Sequence, residues 1–352
     1  MRALDLETPA VLIDLERVEA NLKRTQDYAD AHGVRLRPHI KTHKLPRFAK
    51  RQLELGAIGI TVQKLGEAEV MADAGISDIF LPYNIIGASK LKRLRALTQR
   101  ITIRVTADSS QVVDGLSQAF ADADKPLDVL IECDTGGSRC GVQTPEAALE
   151  LAQHIDKAAG LSFAGLMTYP AAGGYAEAAQ WLATAKTLIE DAGLPLRIIS
   201  NGGTPDLWNA HANTVATEHR PGTYIYLDRM QVNFGMGTLE DCALTVLATV
   251  VSRPTETRAV IDAGSKALSS DAPGLGGYGY IIGYPEAEIS TLSEEHGVID
   301  LTKCDTKPAI GDVLRIIPNH ACVVSNLFNE VNLVSGDQVV ETVPVAARGK
   351  LT

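Results

Sequence analysis

Short β-branched runs alternate with helix-length amphipathic segments along the first two thirds of the chain. This alternation constrains the fold more than any other feature. Strands are predicted at Ala10–Leu15, Arg35–Lys41, Ala57–Gln63, Asp78–Tyr83, Ile101–Thr106, Leu127–Asp134, Ser162–Tyr169, Leu196–Ser200 and Thr223–Leu227. Helices are predicted at Glu16–Ala31, Pro46–Leu55, Lys64–Ala74, Pro145–Ala159 and Ala176–Ala192. In the first of these, Val18, Leu22, Thr25 and Ala29 recur at helical spacing between charged residues. Thr144 before Pro145 pairs a cap with a first-turn proline, and Gly33, Gly75, Gly160 and Gly193 stand where helices should stop. Parallel strands need crossovers of this length. Eight or nine such units in about 225 residues predict an α/β fold built on a (β/α)8 barrel. A doubly wound open sheet competes, but it ordinarily carries a glycine-rich turn after its first strand. Here that strand runs into Glu16-Arg17-Val18.

The whole chain of 352 residues is too long for one small core. After about Gly237 the texture changes to alternating runs at Leu244–Ser252, Arg258–Ala263, Val313–Ile317, Val331–Leu333 and Gln338–Val345, divided by turn residues. We therefore expect a barrel over residues 8–237 and a β-rich C-terminal domain over 238–352, which residues 1–7 join. The net charge is −10 with no basic block, which argues against a nucleic-acid surface, since that needs clustered Lys and Arg. No apolar run reaches the length of a membrane span, and the charged N-terminus does not read as a signal peptide. Cys133, Cys140, Cys242, Cys304 and Cys322 are scattered and odd in number, the pattern expected of a reduced, cytoplasmic chain.

Five segments and one further tyrosine could carry chemistry. Arg37-Pro38-His39-Ile40-Lys41-Thr42-His43-Lys44 ends the second predicted strand, and strand C-termini face the active site in a barrel. A lysine desolvated there, among other cations, is favoured as the free amine that attacks an aldehyde. The competing reading is a basic surface loop. Ser200-Asn201-Gly202-Gly203-Thr204-Pro205 and Arg220-Pro221-Gly222-Thr223-Tyr224 are neighbouring glycine turns that can aim N–H groups at a phosphate, or can be plain turns. Asp134-Thr135-Gly136-Gly137-Ser138-Arg139-Cys140 places one arginine in a glycine-rich loop, suited to an anionic oxygen or to solvent. Tyr169 ends a strand where its hydroxyl can bond a ring nitrogen or simply reach water. Pro318-Asn319-His320-Ala321-Cys322 follows the run Val313–Ile317, and on an extended segment His320 and Cys322 share one face. The pair is half of a catalytic site for a borderline metal, or a hydrogen-bonded histidine beside a buried thiol.

Taken in chain order, and with Thr8-Pro9-Ala10-Val11-Leu12-Ile13-Asp14 and Thr61-Val62-Gln63-Lys64-Leu65-Gly66-Glu67-Ala68-Glu69, the segments are spread along nearly the whole chain. They resemble the D-threonine aldolase and D-serine dehydratase group of alanine-racemase-like enzymes. The resemblance implies pyridoxal 5′-phosphate carried by Lys41 as a Schiff base, with Asn201, Gly203, Thr204, Gly222 and Tyr224 around its phosphate. It implies Arg139 at the phenolic oxygen and Tyr169 at the pyridine nitrogen. It implies a divalent ion, Zn²⁺ or Mn²⁺ with Mg²⁺ also admissible, at His320 and Cys322, and a homodimer. The substrate would be a D-3-hydroxy amino acid, cleaved to glycine and an aldehyde. His43, His320 or a metal-bound hydroxide would be the base. His-x-Cys looks more like the dehydratases, which give a 2-oxo acid and ammonia, whereas Thr61–Glu69 looks closer to the aldolases. An amino-acid racemase or a non-catalytic carrier of the cofactor are further alternatives.

Overall fold

Leu127–Cys133 is buried at nearly every position, as a strand covered on both faces must be. In the computed structural model, which describes residues 1–272 and 274–352, it is the middle strand of a seven-stranded parallel sheet. The strands are Ile60–Thr61, Asp78–Asn84, Thr102–Ala107, Leu127–Cys133, Leu161–Thr168, Ile198–Asn201 and Glu218–His219, adjacent in chain order. Helices Leu65–Asp73, Ala88–Thr98, Ser110–Phe120, Pro145–Lys157 and Tyr175–Asp191 form the crossovers.

Helix Pro145–Lys157 shows how the local sequence builds these units. The Thr144 hydroxyl accepts the Ala147 N–H at 3.1 Å, and Pro145 takes a first-turn position that needs no donor. Ala148, Leu151, Ala152 and Ile155 are buried at helical spacing, and each of the two larger side chains contributes about 2 kcal/mol of burial. They join Val129, Ile131, Leu166 and Ile199 in one core.

The expected strand Arg35–Lys41 is shorter than predicted. Leu36 forms an isolated parallel bridge with His219, and His39 forms another with Thr61. Arg37 N–H donates to the His219 carbonyl at 2.8 Å, and Thr61 N–H donates to the Pro38 carbonyl at 2.7 Å. The segment then turns into a 3-10 helix, Ile40–Thr42.

Two compact units emerge. One comprises Thr25–Lys41, Leu45–Gly222 and Lys350–Thr352, and holds the parallel sheet. The other comprises Met1–Arg24, Thr42–Lys44 and Thr223–Gly349, and holds a mixed sheet. In the mixed sheet Ala10–Asp14 pairs antiparallel with Leu244–Thr255 and parallel with Glu330–Ser335. Leu244–Thr255 also pairs with Arg258–Ile261 and Val313–Ile317. Ala10–Asp14 is thus not the first strand of the parallel sheet, although its position predicted that. A strand pattern fixes which face is buried but not which partner the strand finds. Residues 8–24 and 223–237 accordingly divide differently from the boundary expected at Gly237. Thr223–Leu227, expected as a strand, instead opens with a 3-10 turn, Thr223–Ile225, closed by the Tyr226 and Leu227 N–H groups on the Thr223 carbonyl.

Candidate active site

In the parallel-sheet unit Lys41 sits in the 3-10 turn just past the His39 bridge, half-buried. Its backbone N–H donates to His39 Nδ1 at 3.3 Å, and the other His39 nitrogen lies 2.9 Å from Gln63 Oε1. An oxygen acceptor there fixes the proton on Nε2, which leaves Nδ1 free to receive Lys41. Lys41 Nζ stands 5.9 Å from the centre of the Tyr169 ring, and Arg139 Cζ stands 5.2 Å from the same ring. Both are within cation–π reach. The Arg139 guanidinium is 3.7 Å from Glu132 Oε1, and Glu132 is 5% exposed at the end of its strand. Burial pushes the Glu132 carboxyl up, and Arg139 opposes that shift.

The turn after Ile198–Asn201 is one that only glycine can make. Gly202 has φ +81°, and a Cβ there would lie 2.0 Å from the His219 ring. A Cβ on Gly203 would lie 2.5 Å from Tyr169 Cε2. His219 Nε2–H donates to the Gly203 carbonyl at 2.8 Å. Burial lowers the His219 pKa to about 4, so the ring is neutral, and its buried Nδ1 has no hydrogen-bond partner. Gly222 N–H donates to Thr204 Oγ1 at 3.1 Å, tying the two glycine turns together. Arg220 is buried, donating to Ser200 Oγ at 2.6 Å and to the Thr168 carbonyl at 2.7 Å, and burial lowers its pKa to about 10. Amine, ring, guanidinium and side-chain-free glycines therefore surround Tyr169. That donor set fits an aromatic aldehyde bearing a phosphate.

The mixed-sheet unit holds the second cluster. His320 and Cys322 are not on an extended segment as expected. His320 is the residue before helix Ala321–Leu327, and Cys322 lies in its first turn. Asp228, with no exposed surface, starts that helix: its Oδ2 accepts the Ala321 N–H at 2.8 Å and its Oδ1 the Gln231 N–H at 2.9 Å. Burial raises the Asp228 pKa to about 6, opposed by those two backbone donors. His320 Nδ1 is 2.8 Å from Asp271 Oδ2. Burial works against a charged His320 ring, yet Cys322 and then Asp271 carry its pKa up to about 9. Cys322 Sγ lies 3.1 Å from Thr42 Oγ1 and 3.4 Å from Thr223 Oγ1. Among the described residues no group of three or more His, Cys, Asp or Glu side chains gathers around one point. An ion held by His320 and Cys322 would keep positions for other ligands, as a catalytic metal does. A histidine with an imidazole–carboxylate partner beside a thiol is the donor set such an ion needs.

The alanine racemase N-terminal domain model matches residues 13–230 and a putative serine dehydratase domain model matches 243–334. The chain belongs to the alanine racemase family. It is 35% identical to a D-threonine aldolase of Arthrobacter sp. over 98% of this chain and 93% of that protein. It is 33% identical to a D-threo-3-hydroxyaspartate dehydratase of Delftia sp. over 96% and 97%. The crystal structure of D-threonine aldolase from Filomicrobium marinum superposes with a TM-score of 0.92 at 33% identity, covering 100% of this chain and 98% of that one. Other dehydratase structures at TM-scores of 0.90 and 0.88 carry alanine in place of a cysteine, in a metal-free form, and of a histidine two positions before it. The fold is accordingly the alanine-racemase-like one, a parallel seven-stranded sheet with a separate mixed sheet.

Lys41, Arg139, Tyr169 and Gly203 come together in the parallel-sheet unit, with Asn201, Thr204 and Gly222 on the adjoining turns. Asn201 is fully buried at its strand end. His43 and Tyr224 fall in the mixed-sheet unit, both buried. Sequence reasoning missed Glu132, His219 and Arg220 as site residues. Arg220 stood inside a glycine motif, which was the available signal. Asp228 and Asp271 had no local signal, because both reach the His320 segment from far along the chain.

Proposed function

We propose that this chain is a pyridoxal-phosphate- and divalent-metal-dependent lyase that cleaves D-3-hydroxy amino acids to glycine and an aldehyde. The observation that carries the reading is the full-length likeness to a D-threonine aldolase, together with Lys41, Arg139 and Gly203 gathered on Tyr169. Lys41, Arg139, Tyr169, Asn201, Gly203, Thr204 and Gly222 would hold the cofactor, and His320 and Cys322 the metal. His43 and Tyr224 are assigned by resemblance alone. We read residues 35–39, which bond to both Ile60–Thr61 and Glu218–His219, as the eighth stave of a (β/α)8 barrel.

Bound pyridoxal phosphate supplies an electron sink for the bond broken at the substrate's Cα. The chain's own residues do the rest. The Lys41 backbone N–H on His39 fixes the turn that carries this lysine, and its amine stands over the face of Tyr169. Arg139, held by Glu132, brings positive charge to an anionic oxygen, and the Gly203 and Gly222 backbones leave room for a phosphate. His320 and Cys322 would polarise the 3-hydroxyl through the ion, and the thiol favours Zn²⁺ over Mn²⁺ or Mg²⁺. The unit assignment, a homodimer and cytoplasmic residence belong to the same proposal, the last supported by the odd number and scattered positions of the five cysteines.

The His-x-Cys pair and the dehydratase relatives favour a second reading, loss of water followed by hydrolysis of the resulting imine, which releases ammonia and gives a 2-oxo acid. D-threonine with added Zn²⁺ or Mn²⁺ separates the two. Glycine and acetaldehyde are expected. 2-Oxobutyrate and ammonia would replace the aldolase reading by the dehydratase one. Neither product, from D-threonine or from D-phenylserine, would overturn both.

A further inference from the structure

One histidine cluster in the parallel-sheet unit takes no part in the chemistry above. His32 is the last residue of helix Leu15–His32, and His211 lies in the 3-10 turn Leu207–Ala212. Their ring centres are 4.6 Å apart and the rings are tilted by 38°. A single residue, Tyr28, orients both. His32 Nδ1 lies 2.8 Å from the Tyr28 carbonyl, so Nδ1 carries the proton and Nε2 keeps a lone pair. The Tyr28 hydroxyl donates its one proton to the Trp208 carbonyl at 2.9 Å. Its oxygen accepts the His211 backbone N–H at 3.3 Å, and His211 Nδ1 lies 2.6 Å away. With the hydroxyl proton committed to Trp208, His211 Nδ1 must be the donor. Its Nε2 keeps a lone pair too.

A ring whose Nδ1–H is tied to a carbonyl or hydroxyl while Nε2 stays open is the state in which histidine ligates metals. Two imidazoles sharing one tetrahedral ion at about 2 Å from each nitrogen place their ring centres roughly 5 Å apart. The observed 4.6 Å is close to that spacing.

A second observation is independent of the rings. His32 and His211 line a cavity of about 300 Å³, together with Arg35, Tyr175 and Asn213. Asn213 is 4% exposed, and its Oδ1 accepts the N–H groups of Val215 and Ala216 at 3.3 and 3.2 Å. Its buried Nδ2 has no hydrogen-bond partner. A buried amide donor on a cavity wall calls for an oxygen, and leaving it without one costs roughly 1–3 kcal/mol. Water or a carboxylate completing a metal's coordination shell provides that oxygen, and Arg35 favours an anionic one.

We propose that His32 and His211 form a second divalent-metal site, binding Cu²⁺, Zn²⁺ or Ni²⁺ through their two Nε2 atoms. Water or a small carboxylate fills the remaining positions and accepts from Asn213 Nδ2. With only two protein ligands the site is open, exchangeable and tightest for Cu²⁺. It rests on no assumption about the reaction.

The test uses cofactor-loaded full-length protein carrying Cys322→Ala, which removes the thiol of the other candidate metal pair. Cu²⁺ binding is followed by equilibrium dialysis and by electron paramagnetic resonance, and Zn²⁺ by dialysis. The expected result is a bound Cu²⁺ with nitrogen hyperfine coupling, whose affinity drops about tenfold or more in His32→Asn and in His211→Asn. Asparagine keeps a donor at the position of Nδ1–H and removes only Nε2, so the fold is preserved. Asn213→Leu should weaken binding less than either histidine variant does. Unchanged Cu²⁺ affinity in both asparagine variants, or a signal without nitrogen coupling, would overturn the proposal.

Discussion

Two histidines, one in each unit, are driven in opposite directions. His219, in the parallel-sheet unit, is pushed by burial to a pKa of about 4. His320, in the mixed-sheet unit, is carried to about 9 by Cys322 and Asp271 in spite of its burial. The first ring has a carbonyl for its partner and no counter-charge, so it stays neutral and acts as a strut for the Gly202-Gly203 turn. The second has the Asp271 carboxylate at 2.8 Å and Cys322 beside it, and both favour its charged form. The lesson is that burial alone does not assign a histidine its task; the charge of its neighbours does. One ring holds backbone in place, and the other is favoured as a cation.

The sharpest way to break this comparison is a double dissociation. Lys41→Ala should lower activity on the order of 10³-fold or more and abolish the cofactor's visible absorbance, while metal content stays at the wild-type level. Cys322→Ala should do the reverse, losing metal and activity but keeping the absorbance. Lys41→Ala protein that remained yellow, or Cys322→Ala protein with full metal, would mean the two tasks are not divided in this way.

Asp271→Ala sharpens the same contrast with a smaller effect. The carboxylate at 2.8 Å from His320 Nδ1 orients the ring, and partners of this kind typically change metal affinity 10–100-fold. Zinc titration of cofactor-loaded protein measures it. An affinity within about twofold of wild type would reduce Asp271 to a surface ion pair.

Gly203→Val probes the other region. A Cβ at 2.5 Å from Tyr169 forces that ring, or the turn, to move, and overpacking of this sort costs about 1–3 kcal/mol. Cofactor affinity should fall about tenfold or more, with metal affinity unaffected. Equal cofactor retention would place the phosphate cradle elsewhere.

Much of this was legible in the sequence where the signal is local. Thr144-Pro145 announced the start of its helix, and Pro46–Leu55 and Val313–Ile317 have the predicted ends. Lys41 and the glycine turns were found because strand ends and consecutive glycines are themselves local features. The rest depends on residues distant in the chain. Ala10–Asp14 has the alternation of a strand but finds its partners at Leu244–Thr255 and Glu330–Ser335, which no window around it contains. The segment after Val313–Ile317 read as extended because nothing near His320 caps a helix. The group that starts the helix is the carboxylate of Asp228. Glu132 and His219 were passed over because a buried charge and a buried neutral ring look alike in sequence.

The smallest expected effect isolates His219. Its folded pKa of about 4 lies below the ordinary histidine value of 6.5, so the unfolded chain binds the extra proton first. Stability is therefore full above about pH 6.5 and is lost as the pH falls towards about 4. At about pH 5 the loss attributable to this ring is on the order of 2 kcal/mol. His219→Gln retains a donor for the Gly203 carbonyl and removes the titration. Urea unfolding of both proteins at about pH 7.5 and about pH 5 should show the variant losing less stability across that interval, by roughly 2 kcal/mol. Equal losses would mean that His219 is protonated in the folded protein, and the contrast with His320 would collapse.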